Sequence, residues 1–273
     1  MNTPTAGTAR KPGSEEAMLD LQTAYISRIG QRKRNEDACG YWTSDKGCCW
    51  VLSDGAGGHG SGDRAAQMVV STVLEQFARD PNNGEAAAIA LLEAAQAAVM
   101  SEKRAHPDGD NMHATAALLL IDPVRHEAVW AHVGDTRIYL FRNSNLIHQT
   151  RDHSLVQSMI DAGYGDVASI RTHPQRSLLT SAIGNADELS LSVSGEPVRI
   201  GAGDSFLICS DGWWEYVDEA EMTRCLEASV SSADWLERMA SIVDAQDGQQ
   251  NDNYTAIAVK IEQATEGKTI VLG

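Results

Sequence analysis

The chain has 273 residues, 42% hydrophobic and 22% charged, a balance that suits a globular protein of one large domain or two small ones. Its net charge of −16, from 22 basic against 38 acidic residues, weighs against binding nucleic acid or an anionic membrane, which both need a basic footprint. No apolar run reaches the roughly 18–20 residues of a membrane span, and five cysteines without a C-x-x-C pair suggest neither a disulfide framework nor structural zinc.

Residues 1–20 are rich in Thr, Gly, Pro, Ser and Glu and lack the apolar core of a signal peptide, so a disordered tail and a cytoplasmic location are expected. Thr23 to Ile29 reads as an opening strand. Residues 31–37, Gln-Arg-Lys-Arg-Asn-Glu-Asp, set three cations directly before two acids. That is either a solvated loop or an anion site beside a cation site.

Cys49 to Leu52 reads as a buried strand that ends at Asp54, passes through five glycines and gives way to a helical pattern from Asp63. A carboxylate at a strand end, followed by backbone without Cβ atoms, lets carbonyls and a ligand approach closely. The stretch Gly55-Ala56-Gly57-Gly58-His59-Gly60 also fits the G-x-G-x-x-G dinucleotide fingerprint, with Glu75 at the offset of its ribose-binding acid. That acid should close a second strand. Instead, Glu75 falls in the helical pattern Met68, Val69, Thr72, Val73, Phe77, and an Ala-rich helix, Glu85 to Lys103, follows. No Gly-Lys-Ser/Thr of a P-loop follows either. Asp54 reads better as a metal ligand.

Ala114 to Ile121 is a further buried strand. Val129 to Val133 and Arg137 to Phe141 flank Gly134-Asp135-Thr136 and read as a hairpin with an acid at its turn. Asn145 to Gln149 is another short strand. Residues 151–174 show no sheet pattern and suggest a surface flap, where substrate selectivity would reside. His153 and His173 at its edges read as structural hydrogen-bonders. Strands resume at Leu189 to Val193, Val198 to Ile200 and Ser205 to Cys209, the last delivering Ser210-Asp211-Gly212, a second copy of Ser53-Asp54-Gly55. Trp213, Trp214 and Tyr216 read as packing residues. Helices Glu219 to Ala228 and Ala233 to Ala245 precede Asn251-Asp252-Asn253-Tyr254-Thr255 and a last strand, Ala256 to Ile261.

Asp54, Asp211 and Asp252 thus stand at strand ends or entrances, and Asp37 follows the basic loop. If the sheets gather them, like charges a few ångströms apart cannot all ionise unaided, and a divalent ion resolves the conflict. Oxygen ligands without His or Cys in motif favour Mg²⁺ or Mn²⁺ over Zn²⁺.

The ordered set Arg32-Lys-Arg-Asn-Glu-Asp37, Asp54-Gly-Ala-Gly-Gly-His-Gly60, Gly134-Asp135-Thr-Arg137, Ser210-Asp211-Gly212 and Asp252-Asn253-Tyr-Thr255 resembles the motifs of the metal-dependent type 2C (PPM) protein serine/threonine phosphatases, in their compact bacterial form. The resemblance spans about residues 23–261. It implies an α+β fold: a four-layer α-β-β-α sandwich with two mostly antiparallel central sheets flanked by helices and a metal cleft at one end. The catalytic domain would occupy 21–262, with the flap at about 151–174 and a tail at 263–273.

By position, the resemblance makes Asp54 the bridge between two Mn²⁺ or Mg²⁺ ions. Asp211 and Asp252 would complete one ion. Asp37 and the Gly55 carbonyl would serve the other, with Glu36 as the alternative, and Asp135 with Asp211 would hold a third. Arg32 would bind the substrate phosphate, and Asp54, Asp211 and Arg32 would carry catalysis. The implied reaction is hydrolysis of phosphoserine and phosphothreonine on proteins, by a bridging water that the binuclear centre activates for in-line attack on phosphorus. No cysteine has an arginine six positions later, so a cysteine-phosphatase mechanism is not indicated. Animal members carry a histidine directly after the Asp-Gly pair as proposed general acid. Here that position is Ala56, with His59 elsewhere on the loop, which leaves leaving-group protonation to metal-held water. Phosphoprotein substrates, an opposing Ser/Thr kinase and a monomeric state are expected. An inactive, phosphoprotein-binding relative is the alternative; it would not need the full aspartate set.

Overall fold

Strands that are apolar on both faces need cover on both, and two stacked sheets with helices outside provide it. The computed structural model describes residues 19–57, 61–106, 111–186, 189–246 and 252–263. In chain order, β1 (Leu19–Arg28), β2 (Asp37–Thr43) and β3 (Cys48–Ala56) precede helices α1 (Gly62–Arg79) and α2 (Glu85–Ala105). Then come β4 (His113–Ala114), β5 (Ala116–Asp122), β6 (Glu127–Val133), β7 (Arg137–Arg142), β8 (Asn145–Gln149) and α3 (Leu155–Asp161). The chain continues through β9 (Ser192–Val193), β10 (Val198–Arg199), β11 (Asp204–Cys209), α4 (Asp211–Trp214), α5 (Glu219–Ala228), α6 (Ser232–Asp244) and β12 (Tyr254–Gln263).

One sheet runs β1-β12-β11-β7-β8. The other runs β10-β6-β5-β3-β2, with β4 beside β3 and β9 beside β6. Every pairing between these strands is antiparallel. Alternation along β3 shows how the layers close. Trp50 and Leu52 point between the sheets, against Leu119, Ile138, Phe206 and Ile257. Cys49 and Val51 point outward onto Val69, Val73 and Phe77 of α1 and Leu92 of α2. The opposite outer layer packs Trp235, Leu236 and Met239 of α6 on Phe141, Leu207 and Ala256. Its helices start at polar caps: Asp218 accepts from Glu221 N at 2.8 Å and Ser231 from Asp234 N at 3.0 Å. The four-layer sandwich is the expected one.

Several expectations change. Gly134-Asp135-Thr136 is not a hairpin turn: β6 pairs with β5 while β7 pairs with β11 and β8, so the chain crosses from one sheet to the other there. Both strands are buried on both faces, so each takes a central or near-central place in its own sheet. Gly134, at φ +91°, makes the sharp exit, and a Cβ there would lie 2.6 Å from Thr115 Cγ2. Strand β2 carried no alternating signal because its residues are half-buried and Gly40 interrupts it. The opening strand begins at Leu19, inside the expected tail; the rest of that tail (1–18) and residues 264–273 lie outside the described residues. The dinucleotide reading fails on topology, since α1 leads into α2 and β3 has antiparallel neighbours.

The flap is a closed excursion. Ser154 and Leu179 form a bridge at its neck, and Leu155 N donates to Leu178 O at 2.8 Å. Within it lie α3 and a 3-10 turn, Val167–Ser169. Among the described residues no helix is long and apolar enough to cross a membrane.

Phe206 is fully buried between the sheets. Phe206→Ala should therefore cost about 3–5 kcal/mol by lost burial and cavity formation. Denaturant unfolding at constant m-value checks this, and a loss below about 1 kcal/mol would show that the inter-sheet layer is not the shared core.

Candidate metal centre

The candidate ligands meet where strands of both sheets end at one edge of the sandwich. Asp37 opens β2 and Asp54 lies near the end of β3, and the two are register partners across that pair. Asp211 opens α4 two positions after the end of β11, Asp252 stands two positions before the start of β12, and Asp135 lies on the crossing between sheets. Arg32, Glu36, Asp54, Asp135, Asp211 and Asp252 all line one cleft of about 670 Å³, together with Ser177 and Leu179 at the end of the flap excursion, which runs past the expected 174 to its bridge at Leu179. Asp37 sits deeper, accepting a hydrogen bond from Ser210 Oγ at 2.9 Å.

Local backbone explains the placement. A Cβ on Gly55 would fall 2.3 Å from the Gly62 carbonyl and 2.8 Å from Glu36 O, so only glycine lets the loop after Asp54 fold so tightly. Gly55 N donates to Glu36 O at 3.1 Å. Thr115, in the break between β4 and β5, fixes Asp54 from the other side. Its Oγ1 accepts from Asp54 N at 2.9 Å, and its own N–H donates to Asp54 O at 2.8 Å.

Burial and mutual repulsion shape the electrostatics. Burial, then the charge of Asp37, Asp211 and Asp135, holds Asp54 well above the usual carboxylate range. Asp211 is raised likewise, by burial first and Asp135 next. Burial lifts Asp37 to about 6, although hydrogen bonds to its carboxylate oppose this. Asp135 rises to about 7 through burial and the charge of Asp152. Glu36, half-buried, is raised by desolvation and Asp63. Asp37 Oδ1 is buried without any hydrogen-bond partner. A buried carboxylate oxygen left bare, among carboxylates that resist ionising together, suits a hard divalent cation with oxygen ligands. Among the described residues no three such side chains converge on one ligation point.

Arg32 joins the site through an ion pair of its guanidinium with Asp252. Sequence reading gave no role to Arg137, yet it anchors the rear wall. It is 1% exposed, holds Asp152 through two bonds of 2.7 Å and stacks 3.6 Å above the Trp214 ring. Trp214 Nε1 in turn donates to the Asp135 carbonyl at 2.9 Å. The Gly-Asp-Thr-Arg motif was the available signal for Arg137 and the Ser-Asp-Gly motif the one for Ser210; nothing in sequence marked Asp152 or Thr115.

The sequence pattern of the protein phosphatase 2C family matches residues 26–252. The chain belongs to the protein phosphatase 2C family. Within this family it is 29% identical over 220 residues to the serine/threonine protein phosphatase PstP of Mycobacterium tuberculosis, covering 80% of this chain but only 41% of that protein. It is 26% identical over 255 residues to the protein phosphatase PhpP of Streptococcus pneumoniae, covering 89% of this chain and 100% of that one. The crystal structure of the mycobacterial PstP/Ppp superposes with TM-score 0.75 at 29% identity, over 89% of this chain and 99% of the other. Stp1 of Staphylococcus aureus does so with TM-score 0.80 at 25% identity, over 93% and 100%. A structure of the PstP catalytic domain in complex with two manganese ions matches with TM-score 0.73 at 27% identity, over 89% and 99%.

Among the described residues of this phosphatase-2C chain no histidine belongs to the cleft lining. His153 stacks on His132 with centroids 4.6 Å apart, bonds Ser192 Oγ at 2.9 Å and is pushed down to about 4 by burial and its neighbour. His173 accepts from Gln175 N at 3.1 Å in the flap, and His59 lies outside the described residues. Two flap arginines tie the flap to the turn after Asp211: Arg171 Nε donates to Trp214 O at 2.9 Å, and Arg176 pairs with Glu215.

The raised carboxylates make a pH prediction. Between their unfolded value near 3.8 and their folded values of about 6 and 7, Asp37 and Asp135 keep protons that the unfolded chain has lost. Their contribution is therefore stabilising at low pH and is lost as pH rises from about 4 to about 7. In chelated protein, Asp135→Asn should raise the melting temperature more at pH 8 than at pH 5. An equal effect at both would show that Asp135 does not titrate there.

Proposed function

We propose that this chain hydrolyses phosphoserine and phosphothreonine on proteins with the help of two divalent ions, Mn²⁺ or Mg²⁺. One observation carries the reading: aspartates from positions 37 to 252 gather at one cleft, Asp37, Asp54, Asp135 and Asp211 raised by burial and by neighbouring acids, and a basic loop forms part of the same wall. Asp54 would lie between the two ions, Asp211 and Asp252 would hold one, and Asp37 with the Gly55 carbonyl the other. The bare Oδ1 favours Asp37 over Glu36 for that place. Asp135, beside Asp211, would serve a third ion. When bound, the ions supply the charge that acidifies water and offsets that of the phosphoryl oxygens.

The residues themselves do the rest. Arg32, on an exposed loop at the cleft, offers a planar fork of donors suited to phosphate oxygens. It makes this contact by exchanging Asp252 for substrate. Thr115 holds Asp54 through its backbone and leaves that carboxylate free for a cation, while Ser210 holds Oδ2 of Asp37 and leaves Oδ1. Ser177 and Leu179 share the cleft lining with Arg32, Lys33 and Arg34, so the phosphoprotein's peptide chain would pass between the flap and the basic loop. Among the described residues the lining holds no histidine, and its acids are the ones that would bind the ions, which leaves the leaving group's proton to water. The retained aspartates give no support to an inactive binding module. A monomer in the cytoplasm, opposing a Ser/Thr kinase, completes the proposal.

Asp54→Asn and Asp211→Asn should each lower Mn²⁺ affinity and p-nitrophenyl phosphate turnover by more than about 100-fold while the melting curve stays cooperative. EDTA should silence the wild type and Mn²⁺ restore it; full turnover in either variant would refute the metal assignment. Arg32→Ala should raise KM about 10- to 100-fold, the loss expected for hydrogen bonds to a charged group. Steady-state kinetics under saturating Mn²⁺ tests this, and an unchanged KM removes Arg32 from phosphate binding.

A further inference from the structure

We propose that Asn253 is the positioning residue of the substrate clamp, fixing the basic loop so that Arg32 stands over the cleft. This rests on the reading of Arg32 as the phosphate-binding residue. Asn253 is buried at 5% exposure, and its side-chain amide is spent on that loop. Nδ2 donates to Ile29 O and to Arg34 O, both at 2.8 Å, and Oδ1 accepts from Glu36 N at 2.8 Å. Both N–H bonds and the carbonyl of the amide are thereby engaged. They span residues 29–36, the whole segment between β1 and β2.

Other ties on that segment are a backbone bond at its end, Gly55 N to Glu36 O at 3.1 Å, and ion pairs of exposed side chains, Arg32 with Asp252 and Arg34 with Asp63 at 3.9 Å. Residues 30–34 are exposed. Within it, Arg32 N donates to Ile29 O at 3.3 Å and Gly30 turns at φ +58°. Asn35 ties its far end to Ser27 Oγ at 2.8 Å. Asn253 is itself locked to the metal-ligand turns. Its backbone follows Asp252, and its carbonyl packs so closely on Gly212 that a Cβ there would lie 2.1 Å away. One neutral side chain therefore references the loop bearing Arg32 to Asp211 and Asp252. Without it, those two aspartates keep their own backbone settings while Arg32 loses its registration to them.

The test is a double-mutant cycle in KM with p-nitrophenyl phosphate at saturating Mn²⁺, alongside calorimetric Mn²⁺ titration and a thermal melt. Asn253→Ala should raise KM about tenfold with kcat and Mn²⁺ affinity each within about threefold of wild type. Asn253→Asp should do the same, since it keeps the acceptor for Glu36 N–H and turns an acceptor toward the Ile29 and Arg34 carbonyls. This variant carries the test if the alanine variant does not fold. Combined with Arg32→Ala, either substitution should add nothing to the KM of Arg32→Ala alone, because nothing is left to position. Multiplying KM effects, a fall in Mn²⁺ affinity that tracks KM, or a wild-type KM in Asn253→Asp would overturn the proposal. If Arg32→Ala alone leaves KM unchanged while Asn253→Ala raises it, the phosphate role of Arg32 is what fails, and the positioning role falls with it.

Discussion

Five aspartates held at one end of a sandwich, Asp135 buried and the other four half-buried, are the constraint on which the rest of this structure turns. Burial alone disfavours each charge, and proximity disfavours all of them together. Among the described residues, the paired arginines offer little relief. Arg137 is taken by Asp152, Arg142 by Asp204 and Arg28 by Glu237 and Asp244, while Arg32 pairs with one member of the five. A fold optimised only for stability would replace such a cluster with apolar residues or give each acid its own cation. Keeping it makes sense for a protein whose acids await a cation from solution. It also accounts for part of the −16 net charge, which leaves those ions out.

Holding the acids there falls to the architecture rather than to the site. Both sheets fill their shared interior with Trp50, Leu52, Phe206 and Ile257, and helices cover the two outer faces, so strand ends are fixed in space by burial along their length. The rear wall adds a second means of fixing. A buried Arg137–Asp152 pair is weak evidence of stability, since desolvation offsets its attraction. Its geometry is another matter. The two-bond fork orients the guanidinium, which lies over Trp214, whose indole N–H holds the Asp135 carbonyl. The same tryptophan's carbonyl receives Arg171 from the flap. Flap, rear wall and the Asp135 crossing thus share contacts through one aromatic residue.

The strands with continuous apolar runs were legible because burial on two faces leaves no other composition. The acids at their ends were legible because a charge beside such a run has few reasons to be there. Ser-Asp-Gly occurring twice at strand ends made Asp54 and Asp211 the most visible. Asp135 was found, but its setting was misread: a turn between two apolar strands looks the same whether the strands pair or part, and only the other strands of each sheet decide. Strand β2 escaped because a half-buried edge strand broken by Gly40 has no period to detect. Thr115, Ser210 and Asp152 escaped for a different reason. Their roles are defined by hydrogen bonds to residues distant in sequence, such as the 173 positions separating Ser210 from Asp37.

Apart from the Arg137–Asp152 pair, the residues whose roles sequence missed share a chemical character that the charge problem explains. Thr115 against Asp54, Ser210 against Asp37 and Asn253 against the basic loop are all uncharged hydrogen-bonding side chains. A lysine in any of these places would neutralise an acid and compete with a metal ion for it. Another carboxylate would deepen the repulsion that burial already imposes. Neutral donors and acceptors give direction without changing the field, and in a buried setting each satisfied hydrogen bond is hard to break because both partners would be left unpaired. The cluster can therefore stay electrically unfinished while its geometry is held, which is the condition a cation-accepting site must meet.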